Sequence, residues 1–196
     1  TKGGSPAGGV YRSSDGGLSW QRRMDGITFS TNIYEVSVDP NDAEHVFAAA
    51  YDENFQLSTL YESTDGAMHW SAVLSNAWHN QPIQIEISKA EPGLVYYATA
   101  WVLYRRLPGS PNWETLPRPD GRDAGHPDFY DSQLRDVLSH PTQPGLLFAA
   151  EESSAVIEQP AGVWMSLDNG SSWQVANHGL KFTGVVDLEI SPDGSD

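Results

Sequence analysis

The chain has 196 residues, of which 39% are hydrophobic, so it is long enough to bury at least one core. Its 26 acidic and 11 basic residues give a formal charge of −15, which argues against nucleic-acid binding because phosphate contacts need clustered Lys and Arg. The absence of cysteine excludes disulfides, thiolate catalysis and cysteine-ligated zinc.

The predicted elements are all strands. Short runs of alternating or clustered apolar residues lie between frequent glycines and prolines, which is typical of β-structure. In chain order the predicted strands include residues 32–40, 45–51, 83–89, 93–100, 134–140, 145–151 and 185–191. No segment shows a convincing helical spacing, and no run of eighteen apolar residues predicts a membrane span.

A repeated phrase organises these strands into units. Residues 10–20 (VYRSSDGGLSW), 60–70 (LYESTDGAMHW) and 163–173 (VWMSLDNGSSW) share one pattern, and residues 103–113 (LYRRLPGSPNW) are a degraded copy. Two strands joined by a polar turn recur between the copies, so one unit has four strands and about 45 residues, a length typical of a propeller blade.

The repeat therefore predicts an all-β fold, a β-propeller of four-stranded antiparallel blades. The predicted units are a partial blade at 1–28, blades at 32–73, 83–116 and 134–176, and a partial blade at 185–196. About four blades are too few for the usual closure, so we expect part of a ring of six to eight blades. In the alternative, a four-bladed ring, residues 185–191 would complete the blade that contains residues 8–28.

The repeated hairpin resembles the Asp-box of BNR-repeat β-propellers, Ser-x-Asp-x-Gly-x-Ser/Thr-Trp. The motif positions held in the three copies are Ser13, Asp15, Gly17 and Trp20, then Ser63, Asp65 and Trp70, then Ser166, Asp168, Gly170 and Trp173. The middle copy has Ala67 and His69 where the motif has Gly and Ser, and the degraded copy has Pro108 in place of the Asp. The resemblance implies a propeller of the kind found in sialidases, xyloglucanases and sortilin-type receptors.

These hairpins are predicted to be structural. A tight turn between antiparallel strands needs positive φ, and a carboxylate beside it can accept backbone N–H groups. The closing Trp is expected to lie over its own blade and cover apolar surface. A catalytic centre is needed once, whereas a hairpin staple is needed in every blade, and the resemblance implies that the boxes lie away from an active site.

The opposite side of each blade is the predicted functional face, because the loops between strands 2 and 3 and the links between blades meet there. Trp78 and His79 suit sugar stacking, although a loop Trp also commonly covers its blade. The candidates for binding are Tyr51, Asp52, Trp78, His79, His126 and Tyr130, and the candidate catalytic carboxylates are Glu53, Asp123, Asp128 and Asp131.

Residues 117–133 hold the densest group of polar side chains on that face. The segment suits a solvated insertion, a Ca²⁺ site built from carboxylates and carbonyls, or a catalytic acid or base at a pocket rim. The alternating-Asp spacing of an EF-hand is absent, and the scattered histidines do not support zinc. No cofactor is therefore predicted, with Ca²⁺ the one that the residue types allow.

The predicted function is a non-catalytic scaffold that binds protein or glycan, beside the remainder of a larger propeller. The alternative is a sialidase-like or xyloglucanase-like glycoside hydrolase that uses paired carboxylates. A sialidase needs converging arginines and an Arg-Ile-Pro signature, which this chain lacks, and xyloglucanases of this kind use two propellers, which 196 residues cannot contain. The resemblance also implies extracellular or periplasmic residence.

Overall fold

A computed structural model describes residues 8–27, 32–53, 55–77, 81–121, 132–153, 162–181 and 184–195. Its contacts divide the chain into two compact units, Thr1–Ile85 and Glu86–Asp196. None of the described residues belongs to a helix that could cross a membrane.

The first unit contains a hairpin and a four-stranded antiparallel sheet. The hairpin strands are β1 (Tyr11–Arg12) and β2 (Gln21–Arg22). The sheet has the order β3-β4-β5-β6, with β3 at Asn32–Asp39, β4 at Asp42–Asp52, β5 at Leu57–Ser63 and β6 at Ser71–Ala77. Val10, Met24 and Ile27 of the hairpin segment share one buried cluster with apolar side chains of β4 and β5, because alternate residues of these strands face the hairpin.

Two further four-stranded antiparallel sheets follow. One has the order β7-β8-β9-β10, with β7 at Pro82–Ile87, β8 at Val95–Thr99, β9 at Leu103–Arg106 and β10 at Glu114–Thr115. The other has the order β11-β12-β13-β14, with β11 at Ser132–Ser139, β12 at Leu147–Ser153, β13 at Gly162–Ser166 and β14 at Gln174–Val175. In both sheets the second strand is the most deeply buried, as its run of apolar residues indicates.

The prediction of an all-β fold made of four-stranded antiparallel blades is confirmed. The prediction of a strand at 185–191 is wrong, because these residues form no ladder within the described chain. The Leu188 N–H instead donates to the Asp136 carboxylate, at 2.6 Å from N to Oδ2. An alternating apolar pattern identifies a half-buried segment, but a ladder also needs a second backbone beside it.

Part of the chain's acidity is structural, since carboxylates on the first strands of the sheets bind backbone N–H groups. Glu35 accepts from the Ile85 N–H at 2.6 Å, and Glu86 accepts from the Ser139 N–H at 2.9 Å, as Asp136 does from Leu188. Burial raises the pKa values of Glu86 and Asp136 above the usual range. These carboxylates link segments that share no backbone ladder.

Candidate functional site

The Asp of each repeated hairpin is bonded within its own turn. Asp15 accepts the Ser19 N–H at 2.9 Å and the Ser19 hydroxyl at 2.6 Å, while the Ser13 hydroxyl donates to it at 2.8 Å. The Asp168 turn has the same contacts with Ser166 and Ser172. These local bonds occupy the carboxylate oxygens without a ligand.

The middle copy keeps this arrangement with a different side chain. His69 takes the place of the second Ser, and its Nδ1 lies 2.6 Å from Asp65 Oδ2. Ala67 lies in the left-handed region at φ 67°, where the other copies have Gly17 and Gly170. A non-glycine residue at positive φ lowers the free energy of unfolding by about 1–2 kcal/mol. The turn therefore forms with Ala67 even though this residue makes it less stable than glycine would.

We expect the pKa of Asp15 to be about 2, below its ordinary 3.8, chiefly because it accepts hydrogen bonds from Ser19. The lowered pKa means that the ionised carboxylate stabilises the folded turn above pH 3.8, and that this contribution is lost as the pH falls through 2. The Ser19→Ala substitution should raise the Asp15 pKa toward 3.8. A carboxyl-carbon NMR titration measures both values, with Ser14→Ala as the control, and an Asp15 pKa near 3.8 in the unsubstituted chain would contradict the assignment.

The closing Trp of a hairpin docks on the preceding strand pair rather than over its own blade alone. The Trp70 indole N–H donates to the Arg23 carbonyl at 3.1 Å, and the Trp173 indole N–H donates to the Pro117 carbonyl at 3.1 Å. Trp70 also shares a buried cluster with apolar side chains of β4 and β5, so it covers its own blade as predicted and adds a hydrogen bond to the preceding segment. An indole has one N–H donor, and its partner here comes from the segment that follows the preceding hairpin.

An arginine reinforces the same junctions. Arg12 donates to the Gly66 carbonyl at 2.7 Å, and Arg105 donates to the Asn169 carbonyl at 2.8 Å. Both arginines lie eight residues before the Trp that ends their own copy of the repeat. The hairpin ends of the blades are therefore committed to packing, and functional side chains are to be sought at the loop ends.

At the loop end of the first unit, six residues form what we call the loop-end cluster. Its members are Asn32, Tyr34, Tyr51, Asp52, Glu53 and Phe55. Tyr34 and Tyr51 pack edge to face with ring centroids 6.1 Å apart. The Asn32 amide donates to the Glu53 carboxylate at 3.3 Å, and the Phe55 N–H donates to the Asp52 carboxylate at 3.3 Å. β3, β4 and the start of the β4–β5 loop thereby hold aromatic and acidic side chains together.

The cluster has a buried part and an exposed part. Tyr51 and Asp52 are buried, whereas Tyr34 is half-exposed and Phe55 is 75% exposed. Burial raises the pKa of the Tyr51 phenol, so this side chain stays protonated and can donate a hydrogen bond at neutral pH. Exposed rings beside carboxylate oxygens suit a ligand that has apolar faces and hydroxyl edges.

At the loop end of the second unit, a buried guanidinium holds two carboxylates. Arg118 forms a fork with Asp120, with Nε–Oδ1 at 3.1 Å and Nη2–Oδ2 at 3.2 Å, and its Nη2 also lies 3.1 Å from Glu151 Oε1. A third donor of Arg118 reaches the Trp101 carbonyl at 3.1 Å. This Arg118 cluster joins the link after β10 to the end of β12, and its buried acids are engaged with a cation.

The candidate residues from sequence are only partly placed. Tyr51, Asp52 and Glu53 belong to the loop-end cluster. Seven other candidates lie outside the described residues, namely Trp78, His79, Asp123, His126, Asp128, Tyr130 and Asp131. Within the described ranges, no three His, Asp or Glu side chains converge to hold a metal ion.

Sequence reasoning missed Tyr34, Phe55 and Arg118 as members of these clusters. Phe55 lies within a loop that was predicted to face the ligand, so its exposed ring was detectable. Tyr34 lies in strand β3. The one feature that distinguishes it from its neighbours is the interruption of the β3–β4 pairing between Ile33 and Glu35. The partners of Arg118 could not be identified from sequence spacing.

Comparisons with known proteins support the architecture. No protein-family model matches the chain, and no curated protein matches it by sequence. Among solved structures, a GH74 xyloglucanase from Xanthomonas campestris is similar with a TM-score of 0.64 and 18% identity, over 88% of this chain and 28% of that one. An ancestral GH74 enzyme is similar with a TM-score of 0.69 and 16% identity, over 96% of this chain and 25% of that one.

Both similar structures are β-propeller enzymes. The sheets described here are propeller blades. Identities of 16% and 18% establish the fold alone, and the chain spans about a quarter of the length of each structure.

Proposed function

We propose that these propeller blades bind a neutral polysaccharide at the loop-end cluster. The observation that carries the proposal is the packing of the half-exposed Tyr34 ring on Tyr51, whose partner on β3 is Asn32, the residue that donates to the Glu53 carboxylate. Phe55, on the loop after β4, adds a second exposed ring. Sugar rings offer C–H faces that pack on aromatic rings and hydroxyls that bond to carboxylates and amides. The chain's formal charge of −15 favours neutral over acidic glycans.

The proposal extends to the role of the repeated hairpins and to the cellular compartment of the protein. We assign the Ser-x-Asp hairpins as Asp-boxes of the BNR type, because their carboxylates bond inside the turn and their Trp residues bind the preceding strand pair. A polysaccharide ligand suits an extracellular or periplasmic protein.

Glycoside hydrolysis is the second candidate function, and the similarity to a GH74 xyloglucanase favours it. Glu53 is the carboxylate of the loop-end cluster that faces solvent. A hydrolase needs a second carboxylate about 5–10 Å away across the sugar. The other predicted catalytic carboxylates, Asp123, Asp128 and Asp131, lie outside the described residues.

Titration calorimetry with xyloglucan and cello-oligosaccharides tests the binding proposal. We expect Phe55→Ala and Tyr34→Ala each to weaken binding about 5- to 30-fold, because the loss of one stacked ring costs about 1–2 kcal/mol of binding free energy. Trp20→Ala is the matched control, since Trp20 is an exposed aromatic residue on a hairpin turn, and it should leave the affinity unchanged. Absence of binding to every neutral glycan, or equal weakening by all three substitutions, would contradict the proposal.

A reducing-end assay on the same glycans separates the two functions. Binding without product release supports a binding module. Product release that is lost in Glu53→Gln while binding is retained supports the hydrolase.

A further inference from the structure

Asn169 takes a position that the first two Ser-x-Asp hairpins give to glycine. The residue after the motif Asp is Gly16 in the first copy and Gly66 in the second, but Asn169 in the third. All three have a positive φ, at 72°, 68° and 57° respectively. Asparagine is one of the few residues besides glycine that adopts this conformation routinely, so the third turn gains a side-chain amide and keeps its shape.

The amide of Asn169 joins the third hairpin to the sheet β7–β10. The Tyr96 hydroxyl donates to Asn169 Oδ1 at 3.0 Å, and Asn169 Nδ2 donates to Glu91 Oε1 at 3.3 Å. The other Glu91 oxygen accepts the Gly145 N–H at 2.9 Å. A carboxylate only accepts hydrogen bonds, so Glu91 requires a donor at both contacts. The two sheets that meet here, β7–β10 and β11–β14, each have four strands within the described chain, so this junction is complete.

Asn169 also begins the one Asn-Gly sequence in the chain, Asn169-Gly170. Asparagine loses its amide most readily before glycine, because no side chain hinders attack by the glycine nitrogen. In that reaction the Gly170 nitrogen loses its proton and bonds to Asn169 Cγ, the amide nitrogen leaves as ammonia, and a cyclic imide forms. Water then breaks one carbon–nitrogen bond of the imide, which leaves an aspartate or its β-linked isomer at position 169.

The folded hairpin holds both reacting groups in other bonds. The Gly170 N–H donates to Ser166 Oγ at 2.8 Å. Gly170 is buried, and a Cβ built on it would lie only 2.7 Å from Leu116 Cδ1, so this backbone is closely packed. The Asn169 amide is engaged at both its oxygen and its nitrogen. Ring closure therefore requires the hairpin to separate from the sheet first, in a local opening.

We propose that Asn169 is a deamidation site that the closed junction protects and that a transient opening exposes. Once converted, the residue would present a carboxylate oxygen to Glu91 Oε1 where the amide now places its donor. Two carboxylates in contact repel each other, and neither can donate. The β-linked isomer also lengthens the backbone beside a carbonyl that accepts from Arg105 at 2.8 Å. The junction then cannot re-form as before, so a reversible opening becomes a permanent change.

Peptide mapping by mass spectrometry measures the conversion at Asn169 in chain held in mildly alkaline buffer, either folded or in urea. We expect conversion in the folded chain to be slower by on the order of 10-fold or more, since each tenfold reduction corresponds to about 1.4 kcal/mol of local opening free energy. Urea concentrations below the unfolding transition should raise the rate progressively, because they favour the opening.

Ser166→Ala removes the acceptor of the Gly170 N–H, so it should speed the conversion of Asn169 several-fold in the folded chain. Ser13→Ala is the matched control, because the Gly17 N–H donates to Ser13 Oγ at 2.8 Å in the first hairpin. It removes the same bond at another turn and should leave the rate at Asn169 unchanged. Circular dichroism checks that both variants keep the strand content of the unsubstituted chain.

Urea unfolding tests the effect of the product on the junction. Asn169→Asp should lower the unfolding midpoint, and adding Glu91→Gln should restore most of the loss. In the double variant the new amide nitrogen donates to the carboxylate at position 169, while the amide oxygen still accepts the Gly145 N–H. The control replaces Glu91→Gln with Glu152→Gln, which also removes a negative charge but from an exposed ion pair, and it should restore nothing.

Three results would overturn the proposal. One is conversion of Asn169 at the same rate in the folded chain and in urea. Another is a Ser166→Ala variant that keeps its strand content and converts no faster than the Ser13→Ala control. The third is a double variant that is no more stable than Asn169→Asp alone, or a Glu152→Gln substitution that restores as much stability as Glu91→Gln does.

Discussion

Gly26→Ala is expected to lower the free energy of unfolding by about 2–5 kcal/mol, and Gly179→Ala by only about 1–2 kcal/mol. Both glycines lie at nearly the same positive φ, so both substitutions pay the left-handed cost of about 1–2 kcal/mol. At Gly26 the new methyl also collides with the Trp70 backbone, and such overpacking costs a further 1–3 kcal/mol or so. Urea unfolding of the two variants beside the parent measures the difference.

The comparison isolates the docking of Trp70, because the turn type and the substitution are the same at the two sites. Tryptophan fluorescence adds a local readout, since displacement of Trp70 should expose its indole in Gly26→Ala and leave it unchanged in Gly179→Ala. Equal losses of stability at the two glycines would show that the Trp70 strand does not rest on Gly26. In that case the Trp70 hydrogen bonds to the Arg23 and Asp25 carbonyls would not depend on a glycine at position 26.

Arg118→Ala is expected to destabilise the chain by about 3–5 kcal/mol at neutral pH. The substitution removes the cation that pairs with Asp120 and Glu151 in a buried setting, and buried charges that lose their partner are costly. Urea unfolding at pH 7 measures the loss.

The control for Arg118 is an exposed ion pair in the same unit. Arg135 Nε lies 2.7 Å from Glu152 Oε2, and both side chains are substantially exposed. Arg135→Ala should therefore lower the free energy of unfolding by less than about 1 kcal/mol. A similar small loss for Arg118→Ala would mean that the Arg118 cluster does not hold the end of β12 to the link after β10.

The sequence predicted most of the fold because its strongest signals are local. The Ser-x-Asp hairpins share the same internal spacing, and alternating or clustered apolar residues correctly mark six of the seven strands predicted from them. Residues 185–191 show the limit of this reasoning. Their alternation matches that of β11, yet Leu188 bonds to a carboxylate instead of a neighbouring backbone. A hydrophobic pattern indicates which side of a segment is buried, but it does not identify the segment that pairs with it.

The candidate site was predicted less completely for the same reason. The sequence predicted a site at residues 117–133 because nine charged or aromatic side chains lie within that segment. Arg118 stands near the start of that segment, but its Glu151 partner is 33 residues away. Tyr34 gains its role from Tyr51 on the paired strand β4, which only the register of β3 and β4 brings beside it.

Residue order alone is sufficient for contacts within one turn, such as Ser63 with Asp65 and Asp65 with His69, because so few bonds separate the partners that turn geometry brings them together. Tertiary structure decided the contacts between segments. The sequence predicted that Trp70 covers its own blade, but it did not predict that the indole N–H bonds to a carbonyl 47 residues earlier. A buried donor must find an acceptor, and which acceptor lies within reach depends on how separately folded strand pairs pack, a property that no local spacing encodes.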